Sequence, residues 1–332
     1  MGEDGDSPFF LSSRFTVRIR PIVALSAFAV SAVLLAGCSA GSPDSEASPT
    51  ATAVADLCDS AAPSGEASEA VTVEGEVGTP PTATFDLPLE ITEIQRTVVD
   101  EGPDELTGGE FIEYAYSVFD AETGESLATV GYEPGETLPQ QVSAESGGQL
   151  FGCAGAGSRI VAAAPAGDTT PAVVYVIDIL SVVPIAAWGE EQPPVAGSPT
   201  VELAENGAPT ITLPAGDAPT ATQVDVLKKG DGATVQTGDT VLVQYTGVKW
   251  SDGTVFDSTW EKGGVPTTFA TTGVVAGFQK ALEGQTVGSQ VLVVIPPVDG
   301  YGEGEINDTD LVGETLVFVV DILGTQRAVP AQ

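Results

Sequence analysis

The C-terminal third of the chain carries an ordered series of aromatic, acidic and glycine residues. Val243-Gln244-Tyr245-Thr246-Gly247 is followed by Asp252-Gly253-Thr254-Val255-Phe256-Asp257-Ser258. Then come Val274-Val275-Ala276-Gly277-Phe278, Val287-Gly288-Ser289, Ile295-Pro296-Pro297, Gly300-Tyr301-Gly302 and Thr315-Leu316-Val317-Phe318. Taken singly, the aromatics read as core residues, Asp257 as a turn or cap residue and Tyr301 as a loop aromatic. The sequence has no histidine, so Ser-His-Asp and Cys-His hydrolysis and histidine-based zinc sites are excluded. The three cysteines, Cys38, Cys58 and Cys153, form no C-x-x-C pair, which argues against redox catalysis. No metal or cofactor is expected. Acidic residues outnumber basic ones 47 to 11, a net charge of -36. Such a surface repels phosphate backbones, and nucleic acid is not an expected partner.

In this order and spacing, the series resembles the FKBP family of peptidyl-prolyl cis-trans isomerases over about residues 220–325. What the resemblance implies can be carried over position by position. Tyr245, Phe256, Val274, Val275, Phe278 and Phe318 match the walls and floor of the family's proline pocket, with Phe278 where a Trp is usual. Asp257 matches the acid beside the substrate carbonyl, and Tyr301 the tyrosine that donates a hydrogen bond to the ligand. The Val275 N–H matches a second donor, and Leu311 falls near the flap. Asp257 and Tyr301 are therefore the expected catalytic pair. The implied partners are proline-containing unfolded or exported polypeptides, and whether a macrolide ligand also binds stays open. Three departures concern the pocket rim. Thr267 and Thr268 stand between Pro266 and Phe269, which implies a thinner pocket wall, the basic residue that often follows the Phe-Asp-Ser motif is absent, with Trp260 nearby instead, and Ile306-Asn307 replaces a proline-bearing flap. Rotation about an X–Pro bond breaks no covalent bond, so the absence of histidine is no obstacle. A non-catalytic chaperone or protein-binding lipoprotein with the same fold is the alternative.

The N-terminus bears on location. Arg14, Arg18 and Arg20 precede an uncharged apolar run, Pro21 to Ala36, too short for a stable span and followed at once by polar residues. Leu35-Ala36-Gly37-Cys38 resembles the lipobox of bacterial lipoproteins. That implies cleavage before Cys38, a lipid on its sulfur, and a chain anchored at the extracytoplasmic face of the cell membrane. Cys58 and Cys153 then remain. In an exported chain they suggest one disulfide, the alternative being two free thiols that an oxidising compartment disfavours.

The elements that must position the series read mostly as strands. Val241, Val243 and Tyr245 alternate with Leu242 and Gln244, and Leu316, Phe318, Val320 and Ile322 alternate with Val317, Val319, Asp321 and Leu323. Val291–Ile295 is a continuous apolar run suited to a central strand. Phe278, Ala281 and Leu282 repeat at helical spacing between Gly277 and Gly284. A second, weaker copy lies upstream. Phe111–Tyr114 matches Leu242–Tyr245, Gly157–Ile160 matches Gly288–Val291, Val176–Leu180 matches Val319–Leu323, and Pro81–Pro88 is similar to Pro209–Pro214. At the shared offset Glu125-Ser126 stands for Phe256-Asp257, so this copy is expected to keep the scaffold and lose the pocket. The expected fold class is α+β, two tandem FKBP-like domains, each an antiparallel sheet wrapped around a short helix. The expected layout is a signal peptide over 1–37, a flexible tether over 38–68, a degenerate domain over 69–186, a Pro-rich linker over 187–204 and the isomerase domain over 205–327.

Overall fold

The computed structural model describes residues 56–307 and 310–328. The expected leader, Cys38 and most of the tether lie outside those residues. Among the described residues, no helix is long and apolar enough to cross a membrane.

The N-terminal half begins with α1 (Glu66–Glu69), then β1 (Thr72–Glu74), β2 (Thr82–Thr84), β3 (Gln95–Asp100), β4 (Phe111–Asp120) and β5 (Ser126–Val130). It continues with β6 (Gln140–Gln141), α2 (Gly148–Phe151), β7 (Arg159–Ala164) and β8 (Val173–Val183). Next are β9 (Glu190–Glu191), β10 (Thr200–Leu203), β11 (Pro209–Thr212), β12 (Gln223–Lys229), β13 (Thr240–Lys249), β14 (Val255–Ser258) and β15 (Thr267–Ala270). The chain closes with α3 (Ala276–Leu282), β16 (Gln290–Ile295) and β17 (Leu316–Gln326).

Two antiparallel sheets result, each with a small hairpin on its back. The first has the order β3-β7-β8-β4-β5, with β6 also on β4. The second has the order β14-β13-β17-β16-β12-β9, with β15 also on β13. Read from opposite ends, the two orders correspond strand for strand, and β9 is an addition to the second.

Burial on both faces explains the apolar strands. In the second sheet, Val291, Val293, Phe318 and Val320 face α3, packing on Phe278, Ala281 and Leu282. Leu292, Val294, Val317 and Val319 face the other way, onto Val201, Ile211 and Leu213 of the β10–β11 hairpin and its exit. A strand covered on both sides has no reason to alternate. The first sheet repeats the plan, with Phe151, Leu57 and Leu106 on one face and the β1–β2 region (Val71, Val73, Ala83, Phe85) on the other.

The register corrects the internal match read from sequence. Asp178 pairs with Ala115, and Asp321 pairs with Gln244. Tyr116, not Tyr114, therefore occupies the place of Tyr245. On the next strand Ser117 faces Thr129 as Thr246 faces Ser258, with side-chain hydroxyls 3.1 and 2.9 Å apart. Leu127-Ala128, rather than Glu125-Ser126, thus stands at the position of Phe256-Asp257. A slip of two preserves strand alternation, so periodicity cannot detect it.

Two boundaries also differ. Residues 187–204 are not a bare linker, because β9 extends the second sheet along β12 and β10 begins the back hairpin. The end of the expected tether is folded: Leu57 is buried against the first sheet and Cys58 is bonded to Cys153 (S–S 2.07 Å). The two sheets meet through a shared buried cluster of Phe111, Val183, Leu242 and Leu323, with Leu138 packed on it. The Arg327 N–H donates to the Gly135 carbonyl at 2.8 Å, and Gln326 Nε2 to the Glu136 carbonyl at 3.1 Å.

Candidate active site

The sequence-expected pocket residues come from three strands of the second sheet, the helix packed on it and the turn before that helix. β13 brings Tyr245, β14 brings Phe256 and Asp257, β17 brings Phe318, and α3 brings Phe278. Phe278 and Phe318 lie with ring centroids 5.0 Å apart at 79°, and Phe256 meets Phe318 at 5.4 Å and 83°. Tyr245 stands 6.1 Å from Phe278 and 6.2 Å from Phe318. Three of these contacts are edge-to-face and Tyr245–Phe318 is tilted at 57°, geometries that suit the ring quadrupoles and fix the side chains relative to one another. Val274 and Val275, half-buried, pack on the same cluster.

Gly247 is what lets the rings close over β13. A Cβ there would sit 2.7 Å from Phe318 Cε1 and 2.8 Å from Phe256 Cζ, closer than packed carbons approach. The Tyr245-Thr246-Gly247 run thus places one ring and leaves room for two others.

The polar side of the cup is a short chain of hydrogen bonds. Tyr245 Oη donates to Asp257 Oδ2 at 2.7 Å, and Lys262 Nζ donates to Asp257 Oδ1 at 2.5 Å. Burial works against the charge on Asp257, but the bonds from Lys262 and Tyr245 outweigh it and hold its carboxyl below the usual range. Burial pushes the Tyr245 hydroxyl well up, and the bond to Asp257 pushes it further, so it remains a donor. Asp257 is consequently an anchored anion whose two oxygens already have partners.

Tyr301 is placed differently from the other residues. It follows a 3-10 turn over Pro297–Asp299 and is 52% exposed, outside the aromatic cluster. Its hydroxyl is near enough to Tyr245 to contribute to that group's raised proton affinity. Val275 is the residue before α3, with extended backbone (φ -61, ψ 150), and its N–H has no acceptor among the described residues. Leu311 packs onto the cluster from the long β16–β17 connection.

Two residues of the site were not expected from sequence. Lys262 supplies the cation for Asp257 from five positions downstream, which corrects the reading that a basic residue after the Phe-Asp-Ser motif is absent. Phe269 restores the wall thought thin, at 5.8 Å from Tyr245 and 6.0 Å from Phe278. Period-two alternation along β15, Thr267 to Phe269, was the signal available for the latter.

The arrangement is an aromatic cup with one fixed anion at its lip and an uncommitted backbone donor at its edge. Among the described residues, no nucleophile stands beside a base there and no cluster of metal ligands surrounds the cup. Its chemistry is apolar contact from the rings and hydrogen bonding from the Val275 N–H.

Comparison with known proteins agrees with this geometry. Residues 232–323 match the model of the family described as FKBP-type peptidyl-prolyl cis-trans isomerase. A probable FK506-binding protein of Corynebacterium glutamicum is 38% identical over 94 residues, covering 28% of this chain and 78% of that relative. An FK506-binding protein of Streptomyces anulatus is 36% identical over 98 residues, 29% of this chain and 78% of the relative. The outer membrane protein MIP of Legionella longbeachae is 38% identical over 106 residues, 32% of this chain and 45% of that protein. With an aromatic cup built from the same matched segment, the chain belongs to the FKBP-type peptidyl-prolyl cis-trans isomerase family.

Proposed function

We propose that the chain acts on X–Pro bonds of newly exported polypeptides, held at the outer face of the cell membrane by a lipid on Cys38. The short apolar run and the Leu-Ala-Gly-Cys end support the anchor. A relative named as an outer membrane protein supports a place outside the cytoplasm. Exported chains emerge unfolded, and their prolines isomerise over tens to hundreds of seconds without help.

The mechanism follows from the cup. A trans-to-cis rotation must cross a barrier of roughly 18–20 kcal/mol because the planar amide is stabilised by resonance. The planar form carries more charge on its oxygen than the twisted form. A dry site walled by Tyr245, Phe256, Phe269, Phe278 and Phe318 is the poorer solvent for the planar form, so the twisted amide is favoured relative to it. The proline ring enters the cup, and the Val275 N–H and Tyr301 hydroxyl hold carbonyls of the substrate on either side of the turning bond. Asp257 faces the twisting amide with a fixed negative charge. It also keeps Tyr245 oriented. The first sheet, with Tyr116, Leu127, Ala128 and Tyr175 at the matching places, descends in this reading from a duplication that lost the cup.

The observation that carries the proposal is the Lys262–Asp257–Tyr245 chain at the lip of the aromatic cluster. The test is cis-trans exchange of a short proline peptide catalysed by the full chain. Asp257→Val and Tyr301→Ala are each expected to slow it by about tenfold, a loss of roughly 1.4 kcal/mol in transition-state stabilisation. Unchanged rates in both variants would remove the proposed roles, and no acceleration by the unaltered chain would favour the non-catalytic chaperone.

A further inference from the structure

Where the two sheets meet they leave a cleft of about 600 Å³, away from the aromatic cup and sharing none of its residues. One wall is the β5–β6 loop and the end of β8, from the first sheet. The other is the loop after β12 and the end of β17. The floor is apolar, with Leu180 half-buried and Val182 44% exposed. Trp188 stands at the rim, 42% exposed. Its indole is pinned from below, since a Cβ at Gly288 would lie 2.9 Å from the ring and the glycine leaves that space for it.

The charged side chains that line the cleft are acidic, while the Arg327 guanidinium, already paired with Asp239, packs beside Gly135 of the same lining. Glu113 and Glu133 face the cleft from the first sheet and Asp231 from the second, and no lysine or arginine lines it. Glu113 accepts a hydrogen bond from Ser181 at 2.9 Å, whereas the carboxylates of Glu133 and Asp231 have no hydrogen bond or ion pair among the described residues. The first half has no spare cation to offer them. Among residues 56–186 the basic side chains are Arg96 and Arg159. The former is engaged by the carbonyls of Leu150 and Phe151, and the latter by Asp178.

We propose that this cleft docks an extended polypeptide segment carrying lysine or arginine beside aliphatic residues. The aliphatic side chains meet Leu180 and Val182. The cation pairs with the unpartnered carboxylates of Glu133 or Asp231, and Trp188, exposed at the same rim, adds cation–π attraction. The volume is in the range of ligand-binding clefts, and the walls are held apart by the packed cluster and hydrogen bonds between the sheets, so little ordering is needed on binding. This site is separate from the isomerase cup and does not depend on turnover there.

The experiment measures binding by the full chain of a fluorescein-labelled, proline-free peptide in which lysines alternate with valine and leucine. A second peptide has glutamate in place of each lysine. The lysine peptide is expected to bind and the glutamate peptide not. The isosteric pair Glu133→Gln/Asp231→Asn is expected to weaken the lysine peptide by about tenfold, and added salt to weaken it as well. Glu122→Gln/Glu125→Gln, on the exposed turn between β4 and β5, removes the same charge elsewhere and is expected to leave affinity unchanged. Equal binding of the two peptides overturns the proposal, as does an equal loss in both double variants, which would assign the effect to net charge. Concentration-dependent dimerisation in sedimentation velocity, abolished by the Glu133/Asp231 pair of substitutions, would assign the cleft to a second copy and overturn it too.

Discussion

The two sheets share strand order, register and a back hairpin, yet they solve the same buried position in different ways. On the back of the first, Arg159 forms a two-pronged contact with Asp178, both bonds 2.6 Å, and also donates to the carbonyls of Gly75, Glu76 and Thr79. On the back of the second, the matching residues are Gln290 and Asp321, joined by one bond of 2.7 Å. Asp321 Oδ2 has no partner, and neither does Oε1 of Gln244, the residue directly opposite it. These are cross-strand neighbours, so a proton on Asp321, shared between them, would supply the donor that both lack. Burial is also what pushes the Asp321 carboxyl up to about 6, with the Gln290 bond opposing it. A buried arginine pairs with the first sheet's acid, where the second sheet's acid has only an amide.

The front faces differ as instructively. Gly247 admits Phe256 and Phe318, whereas Val118 stands at its place in the first sheet. Asp257 is replaced by Ala128 and Phe269 by Gln140, while Tyr116 and Tyr175 remain as a looser pair with ring centroids 6.5 Å apart. The β7–β8 connection spans only 165–172, against 296–315 for β16–β17, so the first sheet has no arm to carry a counterpart of Tyr301. The scaffold survives these changes because the strands are held by backbone pairing and by cores on both faces. The cup does not survive them, because it requires one glycine, one acid and one long loop together.

Perturbations of the first sheet should have the largest effects. The pair Cys58→Ser/Cys153→Ser opens a loop with a sequence separation of 95. It should lower stability by about 4–5 kcal/mol in the chain-entropy limit, measured by urea unfolding without reductant. Arg159→Leu strands a buried carboxylate and should cost about 3–5 kcal/mol, with exchange experiments showing the loss in the first sheet's amides. Asp321→Asn should act in the opposite sense. Asp321 titrates near 3.8 when unfolded and about 6 when folded, so the folded form holds the extra proton between those values. Stability therefore falls as pH rises from about 4 to about 6 and stays reduced above. The Asn variant should remove that slope and gain on the order of 2–3 kcal/mol at neutral pH, read from melts across pH. A variant that keeps the slope would contradict the shared-proton account. Gly247→Ala is the smallest in stability, about 1–3 kcal/mol from overpacking, but it should abolish most isomerase activity by displacing Phe256 and Phe318.

Much of this was legible in the residues. The run Val291–Ile295, the helix around Phe278 and the alternation of Leu316–Ile322 name their own elements, because burial period is written directly into side-chain type. The convergence of Tyr245, Phe256, Phe278 and Phe318 followed from motif order. Lys262 was missed because its long side chain folds back across a turn that sequence spacing does not describe. The true counterparts of Phe256 and Asp257 were missed because a two-residue slip leaves every apolar residue on its correct face. The strand β9 was hidden in a Pro-rich stretch whose composition favours extension but whose pairing depends on β12 being an open edge.

The central claim is that proline recognition belongs to the second sheet alone. Titrating the full, isotopically labelled chain with a short proline peptide and following side-chain and amide resonances by NMR tests it most directly. The account predicts shifts at Tyr245, Phe256, Val275, Phe278 and Phe318, with Tyr116 and Tyr175 unmoved. Shifts centred on Tyr116 and Tyr175 with a silent Tyr245 cluster would contradict it.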